Sequence, residues 1–165
     1  MSATIRTYGD SVLRQVADPV KVINKEIKNI SEKMVEAMLR ANGVGIAAPQ
    51  IGVAKRIIAF DLDGKLYILI NPEVIETSEE EEENLEGCLS IPGVDAPVVR
   101  KLRAQVRGIT LDEKEIEVEG EGLMARALQH EVDHLGGILF IDYLSPVRRR
   151  SVLNDYMRQQ REEKP

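Results

Sequence analysis

"GLMARALQHEVDHLGG", residues 122 to 137, decides how the rest of the chain is read. Its periodicity predicts a helix ended by Gly136-Gly137. It is apolar on several sides, and such a helix is buried, here among strands. Inside it His130 and His134 sit four apart, with Glu131 following the first. Residues four apart share a helix face, about one turn along the axis. Both imidazoles can therefore reach one ion. Glu131, turned by roughly 100°, can stand beside that ion without ligating it. This is the H-E-x-x-H pattern of two metal-binding histidines and a proton-handling glutamate. The bland alternative is two histidines that cap or pack.

A catalytic metal usually takes three protein ligands and keeps one position open. The metzincin extension of the motif has its glycine here as Gly137, but its last position is Phe140, which cannot bind metal. Glu162 and Glu163 lie near the end of the chain, and Asp142 and Asp155 are less apt. The chain has no other histidine. Its one cysteine, Cys88, lies in "EGCLSIPG" (86 to 93). A thiolate with two imidazoles suits zinc or ferrous iron. A lone cysteine also serves as a small buried hydrophobe.

The chain has 165 residues, which fits a single domain over 1–165 with a real core. Trp is absent and aromatics are few, so Ile, Val, Leu, Ala and Met must build that core. A net charge of −6 argues against general nucleic-acid binding. No secretory signal and no membrane-length apolar run is visible. One cysteine cannot form an intrachain disulfide, which suits a reducing cytoplasm.

Outward from the central helix, "GDSVLRQVA" (9 to 17) reads as a short helix capped by Asp10 or Ser11. Residues 24 to 43 form a longer one, with Ile27, Ile30, Met34, Val35, Met38 and Leu39 at helical spacing and Gly43 placed to end it. "GVGIAAPQIG" (43 to 52) is too flexible and too apolar for an ordinary surface loop. Residues 55 to 71 read as two strands around an Asp63-Gly64 turn, and 71 to 78 as another extended stretch. The acidic run Glu79 to Glu83 reads as a solvated loop or strand end. Residues 100 to 122 alternate as a hairpin, "ILFI" (138 to 141) as a short strand, and the terminal helix starts with Ser145 as cap and Pro146 in its first turn. Irregular alternation of strands and helices predicts an α+β fold. Mostly antiparallel strands would pack around the central metal-binding helix, with a helix at the C-terminus.

Three segments then agree. "GVGIAAPQIG", "EGCLSIPG" and "QHEVDHL" resemble, in order and spacing, the three signature motifs of the peptide deformylase family. The likeness extends from "GDSVLRQVA" to the helix after "SPVRRR". The resemblance implies removal of the formyl group from the N-terminal formyl-methionine of new proteins. It implies Cys88, His130 and His134 as ligands of one divalent ion. Ferrous iron is the expected physiological metal, with zinc, nickel or cobalt as substitutes.

A metal so held activates water for attack on the formyl carbon. Glu131 is then the general acid/base. The resemblance implies that the side-chain amide of Gln50 and the backbone N–H of Leu89 stabilise the charge on the formyl oxygen. Gly45 and Ile46 would flank a substrate that pairs like an added strand. Val44, Leu123, Ala127 and the stem of Glu86, with Gly87 beside it, are candidates for the methionine slot. Leu123 and Ala127 also fit plain core positions. Arg100 is expected to pair with Glu86. Asp133 either orients a ligand histidine or is solvated. Arg148 to Arg150 form either a charged helix face or a transient ribosome contact.

Two other classes compete. A zinc peptidase would survive loss of Cys88 and cleave unformylated peptides. A structural metal site requires a fourth protein ligand, for which only carboxylates remain.

Overall fold

The computed structural model describes residues 3–163. Helix α1 (Lys25–Arg40) begins at Asn24, whose side chain accepts the Ile27 N–H, and buries Ile27, Met34, Ala37 and Met38. Its end departs from the sequence reading. Asn42, not Gly43, takes the left-handed position, at φ 56°. Asparagine tolerates this conformation because its short polar side chain bonds locally.

Five strands form one antiparallel sheet in the order β1-β2-β3-β6-β7. They are β1 (Gly45–Ala47), β2 (Ile57–Leu62), β3 (Lys65–Thr77), β6 (Arg103–Ile109) and β7 (Glu115–Glu121). The β2–β3 turn is the predicted Asp63-Gly64 pair, with φ of 52° and 83°. Positive φ at both residues matches the right-handed twist of the strands they join. The stretch 71 to 78 is not separate. It continues β3 through an irregularity at Asn71-Pro72, where Asn71 turns its side chain onto both backbone groups of Val20.

A second sheet is a hairpin of β4 (Glu81–Cys88) and β5 (Ile91–Lys101). The acidic run is thus partly a strand end. The central helix α2 (Leu123–Leu135) buries Ala125, Leu128 and Leu135 together with Arg126, His130, Glu131 and His134. Leu128 and Leu135 pack with Phe60, Leu69 and Val106 of the large sheet. The opposite flank of α2 faces the hairpin.

Two short elements differ from expectation. "GDSVLRQVA" contributes only a 3-10 turn, Ser11–Arg14. "ILFI" is no strand; Phe140–Tyr143 is a 3-10 turn whose Phe140 and Ile141 are buried with Leu144, Val152 and Tyr156. A short apolar run carries no periodicity to separate the two states. Helix α3 (Pro146–Glu163) is capped as expected, with Ser145 Oγ accepting the Arg148 N–H at 3.2 Å. Arg149 is spent internally on the carbonyls of Ile141 and Asp142, while Arg148 and Arg150 stay exposed.

The two 3-10 turns are stapled together. Arg14 grips both carboxylate oxygens of Asp142, at 2.7 and 3.1 Å, and donates to Gly137 O at 3.0 Å. Burial raises the Asp142 pKa, but Arg14 and the Leu139 N–H outweigh burial and hold it below the usual range. A depressed folded-state value stabilises above the unfolded value and is lost as pH falls through it. Asp142→Asn is therefore expected to lower the melting temperature at pH 7. The gap to wild type should narrow below about pH 4. Thermal unfolding of both proteins at pH 7 and pH 3 checks this; a gap that widens on acidification would contradict it.

Candidate metal centre

Helix α2 supplies two imidazoles and the hairpin supplies a thiol. His130 Nε2 and His134 Nε2 lie 3.2 Å apart. Cys88 Sγ lies 3.4 Å from His134 Nε2. The three donor atoms all fall within 4.8 Å of one another. Tetrahedral bonds of about 2.05 Å to nitrogen and about 2.3 Å to sulfur separate two nitrogens by about 3.3 Å, and nitrogen from sulfur by about 3.6 Å. The observed spacings match, so the residues fit a divalent ion. Asp142 and Asp155, the rejected candidates, are paired instead with Arg14 and Arg158.

His130 and Cys88 are held from behind, whereas His134 Nδ1 is buried without a hydrogen-bond partner. His130 Nδ1 meets Glu86 Oε2 at 2.7 Å, which leaves Nε2 as the nitrogen that would ligate an ion. Burial lowers the His130 pKa, but the carboxylates of Glu131 and Glu86 and the Cys88 sulfur outweigh it and raise it. Burial first, and then the neighbouring His130, hold His134 low and neutral. A neutral imidazole is the form that ligates. The Ser90 N–H and Gln50 Nε2 point at the sulfur, at 3.4 and 3.7 Å.

Glu86 is the hub behind the centre. Arg100 donates to both its oxygens, at 3.0 and 2.6 Å, and Arg126 to Oε1 at 2.9 Å. Burial alone would raise the Glu86 pKa; His130 and Arg100 bring it far below the ordinary range. The Arg100–Glu86 pair is thus present as expected. Glu86, not Asp133, orients the histidine. Asp133 instead accepts from Arg100 at 2.5 Å and from Tyr143 Oη at 2.7 Å.

A cleft of about 740 Å³ opens over this centre. Val44, Gly45, Gln50, Glu86, Gly87, Cys88, Leu89, Leu123, Ala127, His130 and Glu131 all line it. His134 sits deeper, 1% exposed. The Ile46 side chain lies elsewhere. It is fully buried in the core with Met34, Met38 and Ile57, so its side chain does not line the cleft. Alternation along β1 turns it away from the side its neighbours face. Leu123 and Val44 are 70% and 64% exposed, so neither is plain core.

Two groups in the cleft are poised for chemistry. Glu131 is 4% exposed, and its Oε1 has no partner. Burial pushes its pKa up to about 7, against the opposing pull of His130 and with the charge of Glu86 adding to the rise. Its other oxygen packs on Gly45, where an added Cβ would lie 2.5 Å from Oε2. Gln50, on the 3-10 turn Ala48–Ile51, is 1% exposed. Its Oε1 accepts the Ala47 N–H at 2.9 Å, so its amide NH2 turns toward Cys88 and Ser90 Oγ.

Arg126 and Ser90 are the site residues that sequence reading passed over. The available signal was an arginine one turn before His130, on the face that carries the ligands.

Fold and site together define a metal-dependent hydrolase. Comparison with known proteins supplies the family. The polypeptide deformylase family profile matches residues 2–150, and the chain belongs to the peptide deformylase family. Over 146 residues it is 47% identical to the peptide deformylase of Natranaerobius thermophilus, covering 88% of this chain and 94% of that one. The crystal structure of a peptide deformylase from Legionella pneumophila superposes with a TM-score of 0.91 at 38% identity, covering 100% of both chains. One from Synechococcus elongatus, in complex with actinonin, gives a TM-score of 0.89 at 37% identity, covering 93% of this chain and 85% of that one.

Proposed function

We propose that the chain is a peptide deformylase acting, as one catalytic unit, on the N-terminal formyl-methionine of newly made proteins. The observation that carries this reading is the convergence of Cys88, His130 and His134 in a cleft that also holds the unpartnered Glu131 Oε1 and the oriented Gln50 amide. Cys88, His130 and His134 hold one divalent ion, ferrous iron in the cell and zinc, nickel or cobalt in substituted protein. When bound, the ion lowers the pKa of water toward neutrality and polarises the formyl oxygen.

Glu131 Oε1 takes a proton from the attacking water and returns it to the methionine nitrogen as the C–N bond breaks and formate leaves. The Gln50 Nε2–H and the Leu89 N–H donate to the formyl oxygen as it gains charge. Val44, Leu123, Ala127 and the stem of Glu86 receive the methionine side chain. Strand β1 is an edge strand paired only with β2, so an extended peptide adds beside Gly45 and the Ile46 backbone, with Gly87 on the facing wall. A cytoplasmic location fits such a substrate in a bacterium. The exposed Arg148 and Arg150 support a transient ribosome contact through α3. Among the described residues no helix is long and apolar enough to cross a membrane.

The test is anaerobic release of formate from formyl-Met-Ala by ferrous-loaded protein, with Met-Ala alongside. Formate without peptide cleavage is expected; cleavage of Met-Ala would replace this reading with a peptidase. Gly45→Ala probes the position of Glu131, because its new Cβ displaces the carboxylate. A misplacement of that size costs about a hundredfold in rate. Turnover should fall with metal content unchanged, and a wild-type rate would show that Glu131 tolerates the shift.

A further inference from the structure

The centre is assembled from two elements that no covalent link holds in register. Cys88 ends β4, whereas both histidines ride on α2. Arg126 stands one turn before His130 and is 5% exposed. Its guanidinium reaches the hairpin at three points. Nη1 donates to Glu86 Oε1 at 2.9 Å and to Val98 O of β5 at 2.8 Å, and Nη2 donates to Glu82 O of β4 at 2.8 Å. One side chain on the histidine-bearing helix thus grips both strands of the cysteine-bearing hairpin. It also grips the carboxylate that orients His130. Arg100 cannot replace it. Arg100 lies on the hairpin itself, holds Glu86 from that side, and reaches α2 only through Asp133.

We propose that Arg126 is a positioning residue of the metal centre: it sets helix against hairpin, and so the sulfur against the two nitrogens, and it fixes Glu86 against His130. This rests on Cys88, His130 and His134 being the ligands. Loss of a partner that orients a ligand costs about 10- to 100-fold in metal affinity. Metal retention, not stability alone, is the property that Arg126 should control.

The test uses cobalt-loaded wild type, Arg126→Met and Arg126→Lys. Wild type must first bind one cobalt with a thiolate-to-metal absorption band; without that band the ligand assignment itself fails. In the variants the band should shift or weaken, and cobalt should be lost to a chelator about 10- to 100-fold faster. Arg126→Lys keeps the charge without the fork, so it serves if Arg126→Met fails to fold. It should lie between Arg126→Met and wild type. The change from Arg126→Met should also be smaller in a Glu86→Gln background, because both residues act through one carboxylate. A variant that melts earlier yet keeps the wild-type band and chelator rate would reduce Arg126 to a structural ion-pair residue and overturn the proposal.

Discussion

Glu131→Gln is expected to keep its metal and to lose turnover by about a hundred- to ten-thousand-fold, the range of a lost general acid/base. The amide has the volume of the carboxylate, so packing against Gly45 survives. None of the hydrogen bonds that hold the ligands involves the Glu131 side chain; His130 is oriented by Glu86, and Cys88 is approached by Ser90 and Gln50. Only the ability to take and return a proton is removed. The carboxylate is buried with Oε1 unpartnered, which leaves that oxygen for a proton rather than for a structural bond. Metal analysis alongside kcat separates the two effects. Near-normal turnover in the fully loaded variant would remove Glu131 from this role.

Cys88→Ser is expected to lose metal first and activity with it. A serine hydroxyl stays protonated at neutral pH, and its shorter bond withdraws the oxygen from the two nitrogens. The anionic, soft donor is then gone. The loss in affinity should exceed the ~100-fold that removal of an orienting partner costs. Cys88 is only half-buried and serine is close in size, so the apo protein should fold and melt near wild type. Stoichiometric metal with full activity would return the third position to a carboxylate. The structure makes that costly, because Asp142 is tied to Arg14 and Glu86 to two arginines.

Legibility in the sequence followed the strength of local pattern. Helix α1, the Asp63-Gly64 turn, the β6–β7 hairpin, α2 and the Ser145 cap each carry periodicity or turn chemistry that tertiary contacts reinforce. The β4–β5 hairpin was harder to see. The acidic residues of β4 disfavour a strand, and β4 forms because β5 pairs with it and α2 helps to bury Glu86. Asn42 displaced Gly43 as the helix end because both residue types adopt the left-handed conformation. The convergence of Cys88, His130 and His134 was legible because two lie on one helix face and the motif resemblance points to the third. Of the charged hub only the Arg100–Glu86 pair was expected, and that from the family resemblance. Nothing in the spacing of Glu86, Arg100, Arg126 and Asp133 says which charge meets which, since three elements bring them together.

The most direct test of the central claim is X-ray absorption at the metal edge of the loaded protein. The account predicts one sulfur at about 2.3 Å and nitrogen or oxygen neighbours at about 2.1 Å, with the sulfur contribution absent in Cys88→Ser. A shell without sulfur in the wild type would show that the ion is held by other residues, and would contradict the account.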